Sequence, residues 1–131
     1  MILLVDTHVV AWLASEPEKL SRNATQAMER ARRSGAGLAI ASITLFELAN
    51  LIARRRILVD VALDQFLGEI ESRFILLPLK AATAERAVRL PASFPNDPMD
   101  RIIAATALVE ALPLVTADAK IQRSGVVETI W

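Results

Sequence analysis

Ile2-Leu3-Leu4-Val5-Asp6-Thr7-His8, at the start of the chain, decides how the rest is read. An unbroken run of branched aliphatic residues means a strand buried on both faces, and such strands belong to parallel sheets covered by helices. Asp6 ends the run. Thr7 is placed to cap a helix through Val9-Val10-Ala11-Trp12-Leu13, which Pro17 breaks near Ser15-Glu16. Working outward, the same unit recurs. Ser21 opens a second helix to about Arg33, with Ala24, Ala27, Met28 and Ala31 on one face. After the turn Ser34-Gly35-Ala36-Gly37 comes a second buried strand, Leu38-Ala39-Ile40-Ala41. Ser42 then caps a third helix, from Ile43 to about Arg55, and Asp60 opens another through Leu63, Phe66, Leu67 and Ile70. Phe74-Ile75-Leu76-Leu77 reads as a third strand, residues 83–90 as a short helix, and residues 91–98 as a Pro-rich loop. A helix to about Ala111 leads into a fourth strand, residues 112–116. A fifth, residues 126–130, is expected at an edge. Strands alternating with helices imply right-handed crossovers and an α/β fold with a mostly parallel sheet of about five strands. With 131 residues and no linker or repeat, the expectation is one domain spanning 1–131.

Composition narrows the function. Hydrophobic residues make up 53% of the chain, enough for a core, and the net charge is zero, so no global field drives it onto nucleic acid or membrane. Any basic surface must be local; the run Arg54-Arg55-Arg56 is the most basic spot. Cysteine is absent, which excludes disulfides and thiolate metal sites and is consistent with a cytoplasmic protein. No apolar run reaches the roughly 18 residues of a membrane span, and the N-terminus lacks the pattern of a signal peptide. Aromatics are too few, at 5%, for base stacking to be the main source of any nucleic-acid affinity.

The carboxylates carry the chemistry. In an open parallel sheet, sites lie beyond the carboxyl ends of the strands, where strand order reverses. Asp6 follows the first strand and Asp118 the fourth. The stretch Asn96-Asp97-Pro98-Met99-Asp100-Arg101 is a helix start: Asp97 is the expected N-cap, Pro98 fits the first turn, and Asp100 is favoured there by the helix dipole. Glu47 lies in a helix apolar nearly all round, on one line with Asn50 and Arg54. That line must face water, a partner or a polar site. If the four acids meet, they repel and must take up protons or a cation. An all-oxygen site without Cys or clustered His favours Mg2+ or Mn2+ over Zn2+, and a hard dication there suits phosphodiester hydrolysis. His8, the only histidine, reads as a packing or hydrogen-bonding residue, and Trp12 and Trp131 as core or interface aromatics.

Four elements in order, Leu3-Leu4-Val5-Asp6-Thr7-His8, Ser42 with Glu47, Asn96-Asp97-Pro98-Met99-Asp100-Arg101 and Leu114-Val115-Thr116-Ala117-Asp118, resemble the PIN-domain nucleases, and most closely the VapC-type toxins of bacterial toxin–antitoxin pairs. The resemblance spans the whole chain. It implies a three-layer α/β/α PIN fold and a Mg2+- or Mn2+-dependent endoribonuclease that cuts RNA, often tRNA or rRNA. It also implies a homodimer neutralised by a small VapB-type antitoxin protein. Carried over by position, Asp6, Glu47, Asp100 and Asp118 match the acidic quartet that binds the metal and carries catalysis. Thr116 matches the supporting hydroxyl residue, Asp97 the first acid of the Asp-Pro-x-Asp motif, and Arg101 a residue that contacts substrate phosphate or pairs with a neighbouring acid. The chain departs from the pattern at Phe46, where relatives often carry Trp, and at Arg54-Arg55-Arg56-Ile57, where they carry Gly-Lys-Leu. Two other classes compete. A phospho-accepting receiver domain wants paired acids after strand one, an acceptor Asp after strand three and a Lys after strand five, none of which is present. A PIN-like binding module without catalysis would be expected to have lost part of the quartet.

Overall fold

The computed structural model describes all residues from Met1 to Trp131. Its strands are β1 (Leu3–Val5), β2 (Leu38–Ala41), β3 (Ile75–Leu77), β4 (Leu114–Val115) and β5 (Thr129–Ile130). Its helices are α1 (Thr7–Ser15), α2 (Arg22–Arg33), α3 (Ile43–Ala53), α4 (Leu63–Arg73), α5 (Ala81–Val88), α6 (Pro98–Glu110) and α7 (Ala119–Ser124), with a 3-10 turn over Pro17–Lys19. The sheet order is β3-β2-β1-β4-β5 and every pairing is parallel.

Alternation along the strands sorts side chains into two apolar layers. Leu3 and Val5 of β1 and Leu38 and Ile40 of β2 point to one face, where they meet Val9 and Val10 of α1, Ala24 and Met28 of α2, Leu48 of α3, and Phe66 and Ile70 of α4. Leu4, Ala39, Ala41 and Leu114 point to the other, against Leu90, Phe94, Ile103, Ala104, Ala107 and Ile121. Small residues on that side of β2 let α6 approach closely. The result is three layers, α/β/α. Truncating a fully buried member such as Leu48 to Ala would cost about 2–5 kcal/mol. No helix is long and apolar enough to cross a membrane.

Several boundaries move from where local patterns put them. Asp60 does not open α4: the helix begins at Leu63, with Ala62 at its cap position and no side-chain cap. Ile57 and Val59 pack against the first core layer and hold that segment out of the helix until the spacing of Phe66 and Ile70 takes over. Helix α5 starts two residues early, at Ala81, since Ala81 and Ala82 are strong helix formers and Leu90 is instead drawn past the helix end into the second core layer. Strands β4 and β5 are shorter than their apolar runs. A final helix, α7, was not expected; Asp118 caps it and Gly125, at φ 66°, ends it in the left-handed region. Strand β5 lies at one edge as its position suggested, and β3 at the other, with Ile75 and Leu76 partly exposed.

Candidate active site

Strands β1 and β4 are neighbours from which the sheet extends in opposite directions, so a crevice opens beyond their carboxyl ends. Asp6 stands at the end of β1 and is buried. Its Oδ1 accepts from the backbone N–H of Thr7 at 2.8 Å, and its Oδ2 from the Thr116 hydroxyl at 2.7 Å. Asp6, not Thr7, is therefore the N-cap of α1. Thr7 is displaced into the first helical position, and its hydroxyl is put to a different use. Thr116, fully buried at the end of β4, also accepts from the backbone N–H of Asp118 at 3.1 Å. One hydroxyl thus ties both acidic strand ends together. Asp118 turns its own carboxylate onto the N–H groups of Lys120 (2.8 Å) and Ile121 (3.2 Å) as the cap of α7.

The Thr7 hydroxyl donates to Glu47 Oε1 at 2.6 Å and lies 3.0 Å from the Thr44 hydroxyl. Because the Thr7 proton goes to the carboxylate, Thr44 must be the donor of the second bond. A relay Thr44–Thr7–Glu47 therefore fixes the glutamate. Sequence reasoning missed Thr44 and gave Thr7 only a capping role. The available signal was the spacing of Thr44 and Glu47, three apart on one helix face. Glu47 forms no bond with Asn50 or Arg54, so the polar line is not a closed surface network but one wall of an open cleft. Ser42 occupies the cap position of α3 without capping it; its hydroxyl accepts from the Leu79 N–H instead.

A helix that leads into a parallel strand runs antiparallel to it, so α6 brings its N-terminus to the level of the strands' carboxyl ends. Asp97 caps it as expected, accepting from Met99 N–H at 2.8 Å and Asp100 N–H at 3.2 Å. No return bond runs from the Asp100 side chain to Asp97. Arg101 departs from expectation. Its guanidinium donates to five backbone carbonyls, those of Pro95, Ala87, Leu90, Pro91 and Phe94, at 3.0–3.4 Å. It pairs with no acid, and with its donors turned onto the loop ahead of α6 it fastens that loop rather than facing the crevice. The irregular loop has carbonyls that no ladder satisfies, and a planar five-donor group suits them.

Electrostatics shows which acids share the crevice. The Asp100 carboxyl is pushed up to about 7, first by burial and then by the charges of Asp6, Asp97, Asp118 and Glu47. Burial raises Asp6 as well, against the pull of its Thr116 and Thr7 hydrogen bonds and of His8, with Asp118 adding to the rise. Burial also raises Glu47, opposed by the Thr7 hydroxyl, while Asp6 and Asp97 push it further up. No lysine or arginine forms an ion pair with these acids: the chain's ion pairs are Lys19–Glu16, Arg33–Glu29 and Lys80–Glu110, all elsewhere. The donor set is wholly oxygen, hard and negative, and it fits a divalent cation. No three of these carboxylates form a ready-made cage, although Asp6, Asp97, Asp118 and Glu47 all act on Asp100. An open bay of few protein ligands suits an ion that keeps much of its water.

A crevice lined by acids at the β1/β4 switch point of a five-stranded parallel sheet defines a class, and the match to known proteins agrees with it. Residues 3–126 match the model of the PIN domain, and the chain belongs to that family. Within it, the chain is 37% identical to Ribonuclease VapC22 of Mycobacterium tuberculosis (strain ATCC 25618 / H37Rv), over 98% of each sequence. Among solved structures it resembles a toxin–antitoxin complex from Klebsiella pneumoniae (TM-score 0.68, 26% identity, 98% of this chain and 96% of that one). It also shares its fold with VapBC2 of Rickettsia felis, bound to a promoter DNA fragment (TM-score 0.75, 20% identity, 98% and 97%).

Proposed function

We propose that the chain is a VapC-type toxin, an endoribonuclease that hydrolyses RNA phosphodiester bonds with Mg2+ or Mn2+ and is held inactive by a VapB-type antitoxin. The observation that carries the reading is the cluster of carboxylates around Asp100, with which no lysine or arginine forms an ion pair. Membership of the PIN family and the likeness to a VapC ribonuclease support nuclease chemistry; the metal is our inference from the donor set.

In this reading Asp6, Asp100 and Asp118 hold the ion, directly or through its waters, and Glu47 holds the ion or orients the attacking water. When bound, the ion polarises a phosphate oxygen and lowers the pKa of a water. The chain's own groups do the rest. Thr116 keeps Asp6 in one orientation and fixes its distance from the start of α7. The Thr44–Thr7 relay aims Glu47. Burial and the charges of Asp6, Asp97, Asp118 and Glu47 raise the Asp100 carboxyl to about 7, where it exchanges a proton for a cation at little cost. Asp97 shapes the site as the cap of α6 rather than as a ligand.

Partners follow from the same kinship. The relatives' toxin–antitoxin complexes support a protein antitoxin for this chain, and the exposed apolar residues of β3 and α5 (Ile75, Leu76, Val88) support pairing of two copies in a homodimer. The test is expression in a host cell with and without the product of a short neighbouring gene, followed by mapping of cleaved RNA ends. Growth arrest with discrete cuts, abolished by Asp100→Asn and by the partner, is expected. Retained Mg2+-dependent cleavage by purified Asp100→Asn would overturn the assignment.

A further inference from the structure

Next to the acids lies a feature that the hydrolytic chemistry does not use. An open cleft of about 180 Å3 is lined by Glu47, Asn50, Leu51, Arg54, Arg56 and Met99. It runs from the glutamate of α3 to the residue just before Asp100. Arg54 ends α3, and Arg56 reaches the cleft by an unusual backbone. Arg55 adopts the left-handed conformation (φ 55°), which side chains other than glycine rarely occupy. This closes α3 with the N–H of Arg56 on the Leu51 carbonyl at 2.7 Å and returns Arg56 to the wall that carries Arg54. Neither Arg54 nor Arg56 has an ion-pair or side-chain hydrogen-bond partner, and both are exposed. Asn50 likewise has an unused amide.

We infer that this cleft is a backbone subsite of the RNA, in which Arg54 and Arg56 hold a phosphate neighbouring the scissile one and Asn50 donates to its sugar or phosphate oxygens. A bay of carboxylates repels a polyanion, so affinity must come from cations placed beside the bay and not within it. The chain's net charge of zero gives no general attraction. Guanidinium is the group for the task, since its fork matches two phosphate oxygens and is weakly hydrated. No aromatic residue lines the cleft, so it reads the backbone and not the bases. It therefore sets where the strand lies over Glu47 and Asp100, without selecting sequence.

The inference rests on the RNA reading above, and its test separates the two. Binding of a fluorescein-labelled single-stranded RNA 12-mer is measured by anisotropy in the Asp100→Asn background, so that no cleavage interferes. It is compared with Arg54→Gln, Arg56→Gln, the double variant, and Arg55→Gln, which removes the same charge outside the cleft. Each cleft arginine is expected to contribute about three- to tenfold in Kd, and its loss to reduce the slope of log K against log salt by about 0.7. Arg55→Gln is expected to stay within about twofold. In the active protein the cleft variants are expected to raise KM with kcat little changed. Equal losses at all three arginines, or none at Arg54 and Arg56, would overturn the subsite. So would unchanged RNA affinity with loss of antitoxin binding instead, which would assign the cleft to a protein partner. A chain that binds RNA through these arginines but never cleaves it would keep the subsite and remove the nuclease.

Discussion

The two sides of the acidic bay are built differently. On the strand side every acid is fastened. Both oxygens of Asp6 accept hydrogen bonds, Glu47 is held by Thr7, and Asp118 is pinned as a helix cap. On the helix side Asp97 is fastened in the same way, but Asp100 has no hydrogen-bond partner for its carboxylate and bears the charge of four neighbouring acids. Burial and like charge raise Asp6, Glu47 and Asp100 alike, but only Asp100 meets them without a hydrogen bond to its carboxylate. In the proposed reading a cation would offset that charge without having to organise the strand side.

Removing whole side chains breaks this comparison most sharply. Asp6→Ala and Asp100→Ala are both expected to lower kcat/KM by about 10^2- to 10^4-fold, the several kcal/mol that metal chemistry supplies. Their melting should diverge. Asp6→Ala strands a buried hydroxyl and an N–H and should destabilise the chain by about 1–3 kcal/mol, whereas Asp100→Ala in metal-free buffer at pH 8 should be no less stable than wild type. Equal destabilisation of both in thermal melts would show that the two sides are not distinct.

Next in size are the hydroxyls. Thr116→Val removes the bond to Asp6 and the acceptor for Asp118, and should cost about 10- to 100-fold in activity, with Thr116→Ser recovering most of it. Steady-state kinetics on one RNA substrate would check this. Arg101→Ala should behave oppositely. It removes a donor from five carbonyls, of which Pro91 keeps the Phe94 N–H, and should lower unfolding free energy by about 2 kcal/mol in urea, with the slower cleavage traceable to the loose loop. If stability is unchanged and only KM rises, Arg101 contacts substrate after all.

The smallest effect concerns pH. The Asp100 carboxyl, raised from 3.8 to about 7, binds a proton more readily in the folded chain than in the unfolded one. That stabilisation is complete below about pH 4 and is lost as pH rises through 7. Because Asp100 is partly exposed, solvent screening leaves about 1 kcal/mol of it. Metal-free Tm should therefore fall by a few degrees from pH 5 to pH 8, less so in Asp100→Asn, and Mg2+ should restore it at pH 8.

Much of this was legible beforehand. The runs Ile2-Leu3-Leu4-Val5 and Leu38-Ala39-Ile40-Ala41 could only be buried strands, and Asp97-Pro98 could only begin a helix. The strand-end position of Asp6 follows from the first run and that of Asp118 from the apolar run at residues 112–116, and their meeting follows from the rule for parallel sheets. What escaped reading depends on contacts between distant segments. The cap of α1 shifted from Thr7 to Asp6 because Thr7 is needed 40 residues away by Glu47. The motif reads Arg101 as a phosphate contact or the partner of a neighbouring acid, and only the path of residues 87–95 shows where its donors go. Helix α7 is short, and its propensity signal is weak without the Asp118 cap geometry.

The central claim is that a dication replaces a proton in this bay, with Asp100 the group that gives the proton up. Titration calorimetry of Mn2+ into metal-free protein at pH 6, 7 and 8, in paired buffers of different ionisation heat, tests it directly. The expected result is proton release on binding at pH 6 that fades by pH 8, with tighter binding as pH rises and at least tenfold weaker binding in Asp100→Asn. Mn2+ binding of equal strength at all three pH values, without proton release and unaffected by Asp100→Asn, would contradict it.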